Sequence, residues 1–368
     1  MSARVLVLGR LPEVLDAVVG ELRDAGLDVE GSTAAVETAG MFDARGFDLI
    51  AFGGGLRGPV EDQLKQSSTA QNPAVRFVDV YAPQAAHQIM SALNGNHADA
   101  VDLEAYCARI GYEGALTPTL ETLRTLIAQH TAGIPFEAID VLLDKGVDLA
   151  PSAVDAKLIA ARRGGYCYEH NGLLRRVLSA IGFEVGPMVA RVRWMLAPGA
   201  PPTARSHMAL RVTIDGEAWL ADVGFGSCVP TSPLRLDTQE PQPTAHETFR
   251  IIPFGDGQLL QADVLGRWMP VYQLDPGRQL PIDYEVANWF TATHPSSHFR
   301  HRLIVTRTTP DARDVLLANR LTIRRPGSEA EQRFLDANQL ERALADIFTL
   351  PVDPAWRPII ERAVAAGP

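Results

Sequence analysis

Over roughly the first ninety residues, short apolar runs alternate with stretches in which apolar residues return every three or four positions. Val5–Leu8, Asp48–Phe52 and Val75–Val80 are predicted as strands. Val14, Leu15, Val18, Val19 and Leu22 fall on one helical face between the first two, and Ala85–Leu93 is predicted as a last short helix. Strand alternating with helix implies a small open parallel sheet covered on both faces. The polar stretch Asn94-Gly95-Asn96-His97 reads as a linker. From about Leu103 the pattern is helix-rich through roughly Ala180, strand-rich with Asp-Gly turns to about Leu274, and mixed with a helical C-terminus thereafter. The expected fold class is multidomain α+β, with a small α/β domain over residues 1–96 and a larger unit over 100–368.

Length and composition agree with this division. A chain of 368 residues exceeds the usual size of one domain, and 46% hydrophobic with 21% charged residues is the composition of an ordinary globular protein. The net charge of −10 argues against nucleic acid as a partner, because phosphate binding needs concentrated Lys and Arg. No apolar stretch approaches the roughly 18 residues of a membrane span, so no membrane partner is expected. The opening MSARVLVLGRLPEV reads as a first strand, not as a cleaved leader, and a cytoplasmic location is expected. Cys107, Cys167 and Cys228 are widely spaced with no CxxC pair, which implies free thiols and no metal site.

The N-terminal element order looks flavodoxin-like or receiver-like, but the third-strand end Ala51-Phe52-Gly53 offers no acidic phosphate acceptor. Gly53-Gly54-Gly55 reads as a structural turn, since no GxxxxGK[ST] motif accompanies it.

The chemistry concentrates further along. Arg162 to Gly172 leads into Leu173, Leu174, Val177, Leu178 and Ile181, one apolar helix face, so Cys167 stands in or just before the first turn of a buried helix. Free backbone amides and the helix dipole favour a thiolate there. A thiolate nucleophile needs a base, and the base needs an orienting group. Strand alternation on either side of Asp215-Gly216 marks a two-residue hairpin turn. With Ile214 opposite Glu217, Ala209 faces Asp222 and His207 faces Gly224. Met208, Leu210, Val212, Ile214, Trp219, Ala221 and Val223 then share an apolar face, while His207 and Asp222 are diagonal neighbours on the other. Their Cα atoms would lie about 7–8 Å apart, within reach of a carboxylate–imidazole hydrogen bond. The reading is a Cys167 nucleophile, a His207 base and an Asp222 orienter. Spacing alone does not bring Cys167 to His207. Cys228, with no paired base, is expected to be a bystander thiol.

At these residues a family resemblance appears. Arg163-Gly164-Gly165-Tyr166-Cys167-Tyr168-Glu169 resembles the RGGxCxE signature of the arylamine N-acetyltransferases, and Asp222-Val223-Gly224-Phe225-Gly226 resembles their DVGFG signature. The similarity runs from about Leu103 through Leu116–Leu120 and Ile134-Pro135-Phe136-Glu137 to Thr291–Phe299 and beyond. It implies a papain-like core with a helical subdomain over about 100–182, a β-barrel over 183–275 and an α/β lid over 276–368. It also implies double displacement, in which acetyl-CoA acylates Cys167 and an arylamine or hydrazine discharges the thioester. The same resemblance implies a structural ion pair of Arg163 with Glu137, an acceptor pocket lined by Phe136 and Phe225, and CoA held near Gly226, Ser227 and Cys228 and by the loop carrying Thr293, Ser297 and Phe299. Tyr166 and Tyr168 are expected in the core. Ala138 and Cys107 depart from the family pattern in ways that alter packing, and the N-terminal domain has no family counterpart.

Three other readings use the same residues. An amide synthase of this fold would take a carrier-bound acyl chain, a cysteine hydrolase would cleave without an amine, and a regulatory protein would use the N-terminal sheet to sense a ligand.

Overall fold

The computed structural model describes residues 3–33, 43–53, 56, 59–80, 85–93, 101–197, 199–277 and 279–367. The chain divides into two compact units, Met1–Ala100 and Val101–Pro368.

The first unit comprises β1 (Arg4–Leu8), α1 (Pro12–Asp24), β2 (Asp28–Ser32), β3 (Leu49–Gly53), α2 (Pro59–Gln71), β4 (Arg76–Val80) and α3 (Ala85–Leu93). Its four strands are parallel, in the order β2-β1-β3-β4. The alternation within β1 sorts its side chains. Val5 and Val7 pack with Leu15, Val18, Leu22 and Ile89 from α1 and α3, whereas Leu6 and Leu8 join a second cluster with Leu56 and Leu64. Two elements escape the hydrophobic pattern. Strand β2 has the sequence DVEGS and buries only Val29, and α2 offers Val60 and Leu64 as its only large aliphatic residues. Gly54, Gly55 and the 94–97 linker lie outside the described residues.

The second unit opens with α4 (Leu103–Ile110), α5 (Leu120–Gly133), β5 (Phe136–Glu137), α6 (Ile139–Leu142), α7 (Pro151–Asp155) and α8 (Cys167–Ile181). Strands β6 (Glu184–Val192), β7 (Arg205–Ile214), β8 (Glu217–Ala221), β9 (Leu234–Arg235), β10 (Gln242–Pro243), β11 (Thr248–Phe254), β12 (Gly257–Val264) and β13 (Arg267–Leu274) follow. They form one sheet in the order β10-β11-β12-β13-β6-β7-β8-β9. A single side chain bridges its two edges: Gln242 accepts from the Arg235 amide (2.6 Å) and donates to the Arg235 carbonyl (3.0 Å). The sheet is therefore a nearly closed barrel.

The β7–β8 hairpin turns at Asp215 (φ 52°) and Gly216 (φ 80°), both left-handed, as a two-residue turn of this hand requires. Its ladder pairs Ile214 with Glu217 and Leu210 with Ala221. The apolar face carrying Met208, Leu210, Val212, Trp219 and Val223 packs on Leu173, Leu174 and Val177 of α8. Part of the opposite face is buried as well, with Ala209 and Leu220 inside the barrel beside Leu260, Val271 and Tyr272, while Arg211 is exposed.

The chain closes with α9 (Pro281–Thr293), β14 (Ile304–Thr308), β15 (Arg313–Leu317), β16 (Arg320–Arg324), β17 (Glu331–Phe334), α10 (Ala337–Asp346) and α11 (Arg357–Ala366). The last sheet runs β17-β16-β15-β14-β5, so Phe136 and Glu137, from between two early helices, pair with Thr306 and Val305. Tyr284 and Ala292 of α9 join the helical core, not the C-terminal one. Both exchanges tie the C-terminal segment to the helical one. Among the described residues no helix is long and apolar enough to cross a membrane.

Candidate active site

Cys167 is the first residue of α8 and is 6% exposed. The turn before it is held by charge. Arg163 donates to Glu137 (2.8 Å), Lys157 bridges Asp140 and Glu169 (2.7 Å each), and Glu169 accepts from the Tyr166 amide (3.0 Å), capping the helix. Gly164 and Gly165 serve packing here. A Cβ on Gly164 would lie 2.0 Å from the Pro135 carbonyl oxygen, and one on Gly165 would lie 2.7 Å from the Glu169 carboxylate. Tyr166 and Tyr168 are core residues, and the Tyr166 hydroxyl donates to Asn288.

The hairpin end meets this helix start at Gly224. A Cβ there would fall 2.6 Å from Cys167 Cα, so only glycine permits the approach that puts the thiol beside β7. Cys167 Sγ lies 3.8 Å from the Ser206 carbonyl oxygen, next to His207, and the thiol is one of the groups that raise the His207 imidazole. His207 Nε2 is 2.7 Å from Asp222 Oδ2, which leaves Nδ1 as the ring nitrogen not engaged by the carboxylate. Burial alone would depress the imidazole, but the Asp222 carboxylate and the neighbouring sulfur outweigh it and raise His207 to about 10. Asp222, despite burial, is held below the usual carboxylate range by His207, Asn171 and the Gly224 amide.

Two residues that sequence reasoning did not single out surround the His207–Asp222 pair, and a third stands behind Phe136. Asn171 donates to Asp222 Oδ1 (2.9 Å) and to the Met208 carbonyl (2.7 Å), and accepts from the Val223 amide (3.1 Å). Its signal was present, since position i+4 from Cys167 lies on the same helix face. The Tyr272 ring lies 4.8 Å from the His207 ring, and its phenol is held well above the ordinary range by burial and the Asp222 charge. Nothing local in the sequence marks it. His170 stacks on Phe136 with an interplanar angle of 9°.

Phe225 stands edge-on to His207 (5.1 Å, 90°). Phe136 packs against Phe299 (6.0 Å) and under Gly226, whose φ is 76°. The Ser227 carbonyl accepts from Arg324 (2.9 Å). The hydroxyls of Thr293 and Ser297 donate to the Trp289 and Thr291 carbonyls (2.6 and 2.5 Å), so each retains only lone pairs for a ligand. Cys228 is fully buried, and burial pushes its thiol up to about 12, which disfavours the thiolate. Among the described residues, no group of three or more His, Cys, Asp or Glu side chains is arranged to hold a metal ion.

A family model described as N-acetyltransferase matches residues 119–357. The arylamine N-acetyltransferase of Mycobacterium tuberculosis is 44% identical over 256 residues, covering 69% of this chain and 90% of that protein. That of Mycolicibacterium smegmatis is 43% identical over 267 residues, covering 72% and 97%. The solved structure of the Mycobacterium marinum arylamine N-acetyltransferase in complex with CoA superposes with a TM-score of 0.68 at 40% identity, covering 72% of this chain and 98% of that one.

Proposed function

The chain belongs to the arylamine N-acetyltransferase family, and on that premise we propose that it moves the acetyl group of acetyl-CoA to the amino group of arylamines or hydrazines through a thioester on Cys167. The observation that carries this reading is the buried His207, bonded through Nε2 to Asp222 and held next to the thiol at the start of α8, whose sulfur lies 3.8 Å from the carbonyl oxygen of the preceding residue, Ser206. In the first half-reaction Cys167 gives its proton to His207 and attacks the acetyl carbonyl. The tetrahedral adduct then collapses, and CoA leaves as the thiol with the proton from His207. In the second, the amine attacks the thioester, His207 takes the amine proton, and the amide departs as the Cys167 sulfur is released. Asp222 keeps the Nε2 proton in place, so that Nδ1 always faces the sulfur.

Phe136 and Phe225 would line the acceptor pocket, and Gly226, Ser227, Thr293, Ser297 and Phe299 would lie along the CoA path. Arg163 and Glu137 hold the turn and take no part in proton transfer. The chemistry is assigned to Val101–Pro368 alone, because the family match begins at residue 119. A cytoplasmic location belongs to the same reading, in keeping with three free thiols. Initial rates with acetyl-CoA and an arylamine both varied test the mechanism. Parallel double-reciprocal lines are expected; intersecting lines would mean that both substrates are bound together and would overturn the covalent route.

A further inference from the structure

We infer that His170 is a positioning residue for the amine half-reaction, holding Phe136 in register with the nucleophile helix. The inference rests on the proposed transferase reading. It begins with a buried chain of polar groups that the proposed chemistry does not use. The Tyr106 hydroxyl is 2.9 Å from His130 Nδ1, His130 Nε2 is 2.8 Å from His170 Nδ1, and His170 Nε2 is 3.2 Å from the Pro135 carbonyl oxygen. Tyr106, His130 and His170 are all fully buried.

The far end of the chain sets the direction of every hydrogen bond in it. A carbonyl oxygen can only accept, so His170 Nε2 carries a hydrogen and donates to Pro135. His170 Nδ1 is then the acceptor and His130 Nε2 the donor, which leaves His130 Nδ1 to accept from the Tyr106 hydroxyl. Each gap holds one proton and both histidines are neutral. A second proton on either ring would set a donor against a donor, and burial accordingly holds His170 down near about 4 and His130 well below its ordinary value.

The chain ends beside Phe136. The Pro135 carbonyl is gripped between the His170 N–H and Gly164, where a Cβ would come within 2.0 Å of the oxygen. The next amide but one, that of Glu137, donates to the Gly165 carbonyl (2.7 Å). Between these two anchors stands Phe136, with its ring parallel to that of His170 at a centroid distance of 6.4 Å. Its remaining faces meet Phe299 and Gly226. Among the described residues His170 shares no hydrogen bond with Cys167, His207 or Asp222. Its removal therefore frees residues 135–136 while leaving the acyl-transfer groups in place.

A double-displacement enzyme separates these effects, because kcat/KM for acetyl-CoA reports acylation and kcat/KM for the amine reports discharge. His170→Leu leaves the His130 N–H and the Pro135 carbonyl without partners. It should lower kcat/KM for an arylamine about tenfold, roughly 1.4 kcal/mol, while kcat/KM for acetyl-CoA stays within twofold. His170→Gln, which keeps one donor and one acceptor, should recover most of the loss. Equal losses in both half-reactions, or no loss in either, would overturn the assignment. If His170→Leu does not fold, Tyr106→Phe removes the first donor, and a loss of about threefold confined to the amine side is the expected result; equal losses or none would again overturn it. Failure of the transferase reading is distinguishable, because the wild-type protein would then show no turnover of acetyl-CoA and the arylamine in the same experiment.

Discussion

Replacing Gly224 with alanine adds one methyl group where the β7–β8 hairpin meets the nucleophile helix. The new carbon would stand 2.6 Å from Cys167 Cα, 2.8 Å from Asn171 Nδ2 and 3.2 Å from the Cys167 carbonyl oxygen. Carbon atoms pack comfortably at about 3.5–4.0 Å, so the two backbones must part by about 1 Å. Two of the three obstructing atoms belong to the main chain and cannot rotate aside. A shift of about 1 Å between nucleophile and base costs on the order of 10²-fold in rate, and overpacking of this kind costs about 1–3 kcal/mol in stability. Gly172→Ala is the internal control. It lies within α8 with nothing inside 4 Å of the added carbon, so it should stabilise the protein by about 0.5–1 kcal/mol and leave catalysis unchanged. The assay is kcat/KM for acetyl-CoA together with a denaturant midpoint for each variant. A folded Gly224→Ala protein within about threefold of wild type would refute the reasoning, because the rate loss expected here is on the order of 10²-fold.

Two further outcomes follow from the same contacts. Asn171→Ala leaves Asp222, the Met208 carbonyl and the Val223 amide each short of a partner, and at about 1–3 kcal/mol per buried group, not fully additive, a total near ~3 kcal/mol is expected in the denaturant midpoint; an unchanged midpoint would contradict it. Stability should also peak near neutral-to-mildly-acidic pH. His170 falls from 6.5 to about 4 on folding, so between those values the unfolded chain binds more protons and stability drops as pH falls, by up to ~3 kcal/mol from this group. Asp222, depressed in the fold, adds to the loss at still lower pH, while Glu169, raised by burial, opposes it just above its ordinary value. His207 rises from 6.5 to about 10, so its contribution is complete below 6.5 and is lost as pH rises through that window. Midpoints that climb steadily from pH 5 to pH 9 would contradict the two histidine assignments.

Much of the site could be read along the chain because its logic is local. Asp215-Gly216 alone sets Ile214 opposite Glu217, and the two-residue period carried past the last ladder pair, Leu210 with Ala221, brings His207 near Asp222, which it meets at 2.7 Å. The helix start at Cys167 follows from the apolar spacing after it. What was not legible depends on contacts across long separations. Nothing near Gly224 announces that it faces Cys167 Cα, or that Tyr272, on β13, five strands after β8, packs tilted against His207. Strand β5 is two residues long, and its partner β14 lies far along the chain, so no periodicity marks it. Thr293 and Ser297 are ligand contacts only by family resemblance, and in the fold their hydroxyls donate to carbonyls of α9.

The most direct test of the covalent mechanism is intact-protein mass spectrometry after brief exposure to acetyl-CoA without amine, with Cys167→Ala alongside. One acetyl group on the wild-type protein, absent from the variant and discharged on adding an arylamine, is the result expected. A folded wild-type protein that gains no acetyl group, or a Cys167→Ala protein that still gains one, would contradict the account.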